Sequence, residues 1–494
     1  MADVDIELTS LHIQRSTTAS ADVLHQADVP HEVAGHHLAA EGTLSVRTNE
    51  TSLASVDEGF GAWSFLSAAF FVETLVWGFP NSYGVFLILY LDDPRFSSQH
   101  SASFLLPLIG PLSSGIMYCA GPITYPLIAR YPRHRRASLW LGATLMSASL
   151  FGASFARTIK SLLALQGITY AIGGALLYAP TIYYMSEWFV ARRGLANGVI
   201  NAGTALGGLI LPLILPPLMQ RFGTSKTLRY LSIAEGALLV CALPFVRGRL
   251  PESRVNGPNT RLRSSTQPTR SYITNKSFLI ILFATLVQGL AYFVPLLWLP
   301  AYASSMQLNS SSSSLALALL NGASVVGRLG LGVFSDRFSP WPLATSMLLC
   351  TAFTIFILWG VLSYTFAGIV AYGIAYGCLA GGFSSLWTGF VRPMAKDDPT
   401  ISTTIFGFLM FSRGIGNILS TPISTALQPV QSSTASSTHS HHEIGFKVAG
   451  GQYENVIIYA GTCFAVAGSI MVAGWCVERR YLSSRPRPDL RSTS

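Results

Sequence analysis

The chain has 494 residues, of which half are hydrophobic and only 11% charged. A soluble domain carries roughly 25% charged residues, so too few are present to cover a water-facing surface. Six cysteines exclude a disulfide scaffold, and a net charge of +9 set between long apolar runs argues for membrane topology rather than nucleic-acid binding.

Residues 1–58 hold ten acidic residues against two arginines, are rich in Ser and Thr, and contain no apolar run. They read as a disordered acidic tail, since they could bury too little surface to offset the entropy of ordering. The chain does not open with a basic-then-apolar secretory signal, so the first apolar helix is expected to direct insertion.

From Trp63 onward, apolar stretches of about 20 residues recur, each long enough to cross a ~30 Å hydrocarbon core. Helices are predicted over 63–90, 103–129, 138–156, 162–186, 194–219, 228–247, 277–303, 315–334, 341–363, 365–390, 402–425 and 455–477. A closed barrel would need period-2 alternation, and these runs are apolar throughout. The expected fold class is an all-α membrane protein with twelve transmembrane helices. They fall into two six-helix bundles, 59–247 and 277–478, joined by a polar linker at 248–276.

The linker holds Arg249, Arg254, Arg261, Arg263, Arg270 and Lys276 against the single acid Glu252. The other even-numbered loops hold Arg130, Arg133, Arg135, Arg136, Arg192, Arg193, Arg337, Arg392 and Lys396, and the odd loops far fewer. The positive-inside rule therefore places the linker and both termini in the cytoplasm, with the plasma membrane as the expected location. The basic tail at 479–494 agrees. The segment 428–454 becomes an extracellular loop. Nothing there fixes the geometry of His439, His441 and His442, so no metal site is assigned. Asn49 and Asn309 begin glycosylation sequons, but one is cytoplasmic in this topology and the other too close to the bilayer.

Charges inside the spans carry the functional signal, because a central Arg or Asp costs about 2.5–3.5 kcal/mol on insertion scales. Arg413 sits mid-span, Arg328 two-thirds along the eighth span, and Glu73 about 15 Å into the first at 1.5 Å per residue. Glu235 lies in the sixth span. Arg328 and Arg413 share a half whose spans contain no acid. They could hold a carboxylate bidentately, or else pair with helix-end carbonyls or with acids of the other half. Glu73 or Glu235 could carry a proton during transport, or close a structural ion pair. All ten histidines lie outside the spans, which disfavours a buried histidine relay.

Gly78, Phe79, Pro80 and Asn81 interrupt the first span, and Pro295 and Pro300 its counterpart, the seventh; matched breaks point to moving or substrate-lining helices. The steps Gly203/Gly207 and Gly373/Gly377/Gly381 suggest close helix packing. No phosphate-cradling loop, Cys-x-x-Cys or His-Glu-x-x-His occurs, so no enzyme, cofactor or ATP-driven pump is indicated.

The loop Gly332-Val-Phe-Ser-Asp336-Arg337 resembles the Gly-x-x-x-Asp-Arg signature of the major facilitator superfamily. Its first-half counterpart has Ala129-Arg130 followed by Arg133, Arg135 and Arg136. The resemblance implies a charge lock in which Asp336, Arg337, Arg192 and Arg193 gate the cytoplasmic side. Within that superfamily the chain resembles the monocarboxylate porter family, particularly its fungal members. Two stretches carry this: Glu58-Gly59-Phe60-Gly61-Ala62-Trp63, and Trp188-Phe189-Val190-Ala191-Arg192-Arg193-Gly194-Leu195-Ala196-Asn197-Gly198 continuing to Ala202-Gly203. Arg328 matches the family's eighth-helix arginine, implicated in binding the substrate carboxylate. The acid expected one turn earlier is Ser324 here, and the lysine of the animal members is Asn81, which leaves Glu73 as the residue to carry a coupled proton. Asn81 and Asn321 are expected to line the substrate path.

The leading expectation is thus a secondary transporter for a small organic anion, a monocarboxylate, coupled to protons. Its alternatives are an exporter of a larger, mostly apolar metabolite and a non-transporting nutrient sensor.

Overall fold

The computed structural model describes residues 54–250, 275–395, 399–428 and 444–483. The acidic tail to residue 53 with Asn49, the linker cations from Arg254 to Arg270, Lys396, the three loop histidines and the chain beyond residue 483 lie outside the described residues.

Twelve helical segments follow in chain order. They are α1 (Gly59–Asp92), α2 (Ala102–Cys119 continued by Gly121–Arg130), α3 (Arg135–Ala153), α4 (Ile159–Trp188), α5 (Arg193–Phe222) and α6 (Thr224–Phe245). After the linker come α7 (Lys276–Ser305), α8 (Ser310–Arg337), α9 (Pro340–Leu362), α10 (Phe366–Ala395), α11 (Pro399–Ala426) and α12 (Glu454–Ser483). Ten of these are long and apolar enough to cross a membrane. The other two, α3 and α11, occupy predicted positions but are more polar: α3 opens on Arg135 and Arg136, and α11 carries Arg413, Asn417 and many Ser and Thr. No strand occurs among the described residues.

Burial separates central helices from peripheral ones. The most apolar window of α7 is 67% buried and that of α6 only 28%. Large apolar side chains such as Phe71, Val326 and Phe353 stay exposed, which is favourable only against hydrocarbon. In the interior, α1 packs on α5, α5 on α8, α2 on α11 and α7 on α11. The α5–α8 and α2–α11 contacts therefore join the first six helices to the last six.

The glycine steps do what their spacing suggests. A Cβ at Gly203 would strike the Phe70 carbonyl, and one at Gly207 the Thr74 carbonyl, so α5 lies directly on the α1 backbone. Gly377 and Gly381 of α10 meet Leu320 and Ser324 of α8 in the same way.

The proline breaks differ from expectation. α1 runs unbroken through Pro80, and α7 through both Pro295 and Pro300. Neighbouring helices accommodate such prolines in a membrane bundle. Pro300 has no N–H to offer the Leu296 carbonyl. Gly84 of α1 sits against that carbonyl; a Cβ there would lie 2.9 Å from it and 3.2 Å from the Pro300 ring. Pro300 thus sits in a close α1–α7 contact, and none of the three prolines ends its helix. At the start of α8, Asn309 accepts a hydrogen bond from the Ser312 amide at 2.8 Å, which caps the helix.

Candidate substrate site

Charged and polar side chains from seven helices converge midway along the contact between the two sets of helices. Arg328 of α8 is 5% exposed. Its Nε donates to Ser324 Oγ one turn back (3.1 Å), its Nη1 to the Asn201 carbonyl of α5 (2.6 Å), and its Nη2 to the Tyr292 hydroxyl of α7 (2.9 Å). Tyr376 of α10 donates to the Tyr292 carbonyl at 2.9 Å, and Ser384 of α10 to Asn201 Oδ1 at 3.2 Å. Asn197 continues this chain one turn along α5, donating to the Ser384 and Ser385 carbonyls.

Arg413 of α11 is buried in the same region but bonded differently. Its Nη1 donates to Gln288 Oε1 of α7 at 3.2 Å, while its Nε has no partner. Its guanidinium carbon lies 4.1 Å from the Tyr292 ring centroid, 5.6 Å from Tyr118 of α2 and 5.7 Å from Trp387 of α10. Aromatic faces attract the cation, which makes this burial tolerable without a carboxylate. Among the described residues neither Arg328 nor Arg413 forms an ion pair.

Glu73 of α1 is fully buried. The Trp77 indole N–H reaches toward it from one turn along but makes no hydrogen bond of good geometry, so both carboxylate oxygens are without a partner. A Cβ at Gly203 of α5 would lie 3.2 Å from the Glu73 Cβ, so Glu73 sits at the α1–α5 contact. The structure thus brings Arg328 and Arg413 together on Tyr292, and joins Arg413 to the helix of Glu73 through Tyr118 and Trp77, whose rings lie 4.6 Å apart. Trp77, Tyr118, Tyr292 and Trp387 supply the rings of this cluster.

Asn81 and Asn321 flank α5 instead. Asn81 donates to the Thr204 carbonyl at 2.8 Å; Asn321 donates to the Leu317 carbonyl of its own helix at 3.1 Å, and its amide packs on Gly208. Both are buried in helix contacts. Glu235 accepts a hydrogen bond from Tyr170 at 3.2 Å between α6 and α4, separate from the arginines.

The end of the bundle that carries the basic loops is held by carboxylates on backbone amides. Asp336, at the end of α8, accepts from the Gly194 and Leu195 amides at 2.8 and 2.9 Å. These are orphan amides at the start of α5, a site that favours negative charge. Gly194 and Gly198 allow this approach, since a Cβ on either would strike α8. Asp57, just before α1, accepts from the Val190, Ala191 and Arg192 amides at 2.9–3.3 Å. Its φ of +60° is a left-handed conformation that Asp tolerates better than most residues. Arg337 and Arg192 are exposed, and Arg193 lines a small crevice with Ile182, Met185, Thr388 and Phe406. In the first half, where the loop signature is incomplete, Arg135 pairs with Glu187 at 3.4 Å with both side chains buried. Glu187 also accepts from the Arg249 and Leu250 amides.

A family model described as Major Facilitator Superfamily matches residues 66–421. The chain belongs to this superfamily. Among its relatives, the MFS transporter asaE of Aspergillus flavus is 26% identical over 426 residues, spanning 86% of this chain and 90% of the relative. The fujikurins efflux protein of Gibberella fujikuroi is 29% identical over 336 residues (67% and 68% of the two chains). The aspyridones efflux protein apdF of Emericella nidulans is 25% identical over 372 residues (75% and 72%). The solved structure of the proton:xylose symporter XylE, bound to 6-bromo-6-deoxy-D-glucose, superposes with a TM-score of 0.61 at 13% identity, covering 83% of this chain and 95% of that one. That likeness establishes the major facilitator fold.

The chain is therefore an integral, multi-pass membrane protein of a transporter superfamily rather than an enzyme. None of the relatives described is named for monocarboxylates, so the finer family resemblance is narrower than this membership. Several site residues had no sequence signal strong enough to single them out. Asn201, Tyr292, Gln288, Tyr118 and Trp387 are ordinary members of membrane helices, and only the pairing of helices makes them neighbours of the arginines. Asp57 sits in a polar stretch where one more acid is unremarkable. It is recognisable only by its spacing of two residues before α1.

Proposed function

We propose that this chain is a secondary active exporter of an organic anion with a sizeable apolar or aromatic body, a secondary metabolite bearing an acidic group. The observation that carries the reading is a cluster: two buried guanidinium groups among Trp and Tyr rings, midway along the interior. Arginines recognise a carboxylate or enolate in the plane of the fork, and aromatic rings take the rest of the molecule through apolar burial. The direction is supported by relatives named for efflux of particular compounds.

In this reading the units 59–247 and 277–478 rock about the cluster, with both termini cytoplasmic in the plasma membrane. Opening on the basic-loop side separates Asp336 from the α5 amides, and opening on the other side parts Gly84 from α7. Glu73 exchanges a proton as the anion binds and leaves. The test is deletion of the gene in its native cell, followed by mass spectrometry of medium and cell extract. An acidic metabolite should disappear from the medium and accumulate inside. Wild type should restore export and Arg328→Ala should not. An unchanged medium on deletion would refute the reading.

Uptake of a monocarboxylate is the second reading, favoured by Arg328 and by the Trp188-to-Gly198 stretch. Proteoliposomes given a labelled carboxylate panel, with and without an inward proton gradient, separate the two. Gradient-dependent uptake of a small carboxylate would favour the porter.

A further inference from the structure

Beyond Arg413, α11 continues as a polar helix on one face. Arg413, Asn417 and Thr421 recur at steps of four residues, which places them on one side of a helix of 3.6 residues per turn. Ser420 and Ser424 lie on the same side and are bonded: each donates to a carbonyl three residues back, and Ser424 Oγ also accepts from the Trp298 indole of α7 at 3.0 Å. The others are not satisfied. Asn417 is fully buried, and neither its Nδ2 nor its Oδ1 has a partner. Thr421 is 2% exposed, and its hydroxyl also has none. On α7, Gln288 gives its Oε1 to Arg413, and its Nε2 is unbonded. The two helices touch at backbone level here, where Gly416 packs on Leu286 and Gly289.

Unpaired amides at membrane depth are unfavourable, and native interiors satisfy nearly all buried polar groups. A row of them beginning at the free face of Arg413 has the form of a recognition surface. Asn417 offers both a donor and an acceptor, Thr421 a hydroxyl and Gln288 a donor, so their complement is itself both donor and acceptor. Asn417 is about 6 Å from Arg413 along the helix, four residues at 1.5 Å each.

We propose that Asn417, Thr421 and Gln288 form a second polar subsite next to Arg413, and that the substrate is bifunctional. It carries an acidic group for the arginines and an amide or hydroxy-carbonyl group about one helical turn away. This deepens the exporter reading and rests on its anion site.

The test uses two acids of matched shape, 4-acetamidobenzoate and 4-isobutylbenzoate. In the first an amide lies across one ring from the carboxylate; in the second it is replaced by an apolar isostere. Binding to the purified full-length protein is measured by isothermal titration calorimetry. Wild type is expected to prefer the acetamido acid by about tenfold, the order of one well-made hydrogen bond. Asn417→Leu should erase that preference and leave isobutylbenzoate binding unchanged, and Arg328→Ala should weaken both acids equally. If Asn417→Leu loses both acids through misfolding, Thr421→Val gives the same readout with a smaller change. A preference that survives in the folded variants overturns the subsite and leaves the anion site standing. Binding of neither acid by wild type overturns both.

Discussion

The guanidinium of Arg328 is committed to three hydrogen bonds, to Ser324, the Asn201 carbonyl and Tyr292. That of Arg413, in the same cluster, makes one to Gln288, leaves Nε free, and lies against three aromatic faces. The difference is one of availability. An anion can approach Arg413 without breaking anything, because an aromatic face gives up little when the cation gains a carboxylate. To reach Arg328 Nη1 it must release the Asn201 carbonyl, and that bond crosses from α8 to α5. In the proposed cycle Arg413 is therefore the receiving arginine. Arg328 converts binding into separation of the two sets of helices.

The sharpest way to break this comparison is to remove Arg328. Arg328→Ala should lower transport by roughly 100-fold or more with membrane expression unchanged, because it takes away both the anion contact and the α5 link. Arg328→Lys should recover little, since one ammonium cannot serve Ser324, Asn201 and Tyr292 together. Normal transport by either variant would reduce Arg328 to a packing residue.

Arg413 should respond differently. Arg413→Lys keeps the charge but loses the flat stacking surface on Tyr292, so affinity should fall about tenfold while the maximal rate changes less. A measured loss confined to the maximal rate would reverse the roles assigned to the two arginines. Glu73→Gln probes the third charge. Its side chain keeps nearly the same shape but cannot ionise, so transport should persist at a rate reduced by only about threefold to tenfold while its dependence on a proton gradient disappears. A gradient dependence that survives the substitution would move coupling elsewhere, with Glu235 next in line.

How much of this was legible in the sequence follows from the same physics. The spans were, because 20 apolar residues in a row have few other uses, and the helices appear within a few residues of their predicted positions. Arg328, Arg413 and Glu73 were legible because a charge in such a run is an anomaly that demands a partner or a cavity. Tyr292 was not, although it touches both arginines: nothing in a tyrosine among apolar residues says which neighbour it will meet. Asn81 and Asn321 had the right chemistry, and the structure uses their amides in helix contacts around Thr204 and Gly208. Pro80, Pro295 and Pro300 looked like breaks because a proline removes a backbone bond. The sequence could not say that both helices would run on through them, with Gly84 of α1 packed on the Leu296 carbonyl that Pro300 leaves without its helical donor.

The smallest expected effects come from the two aspartates that bind amides of the α4–α5 loop and the head of α5, and they test whether the contrast between bonds within a half and bonds across halves extends beyond the arginines. Asp57 binds three amides of its own half, while Asp336 reaches across to two amides at the head of α5. Replacing either by Asn removes the charge that suits exposed amides but keeps an oxygen acceptor, so each contact should weaken by only about twofold to fivefold. The readouts should separate. Asp57→Asn weakens a contact that persists through the cycle, so it should lower the melting temperature by a few degrees and leave turnover unchanged. Asp336→Asn weakens a contact that must break when the basic-loop side opens, so it should change turnover more than melting temperature. If both variants moved only the melting temperature, Asp336 would be structural glue, and the closing of that side would have to rest on the direct packing of Gly194 and Gly198 against α8.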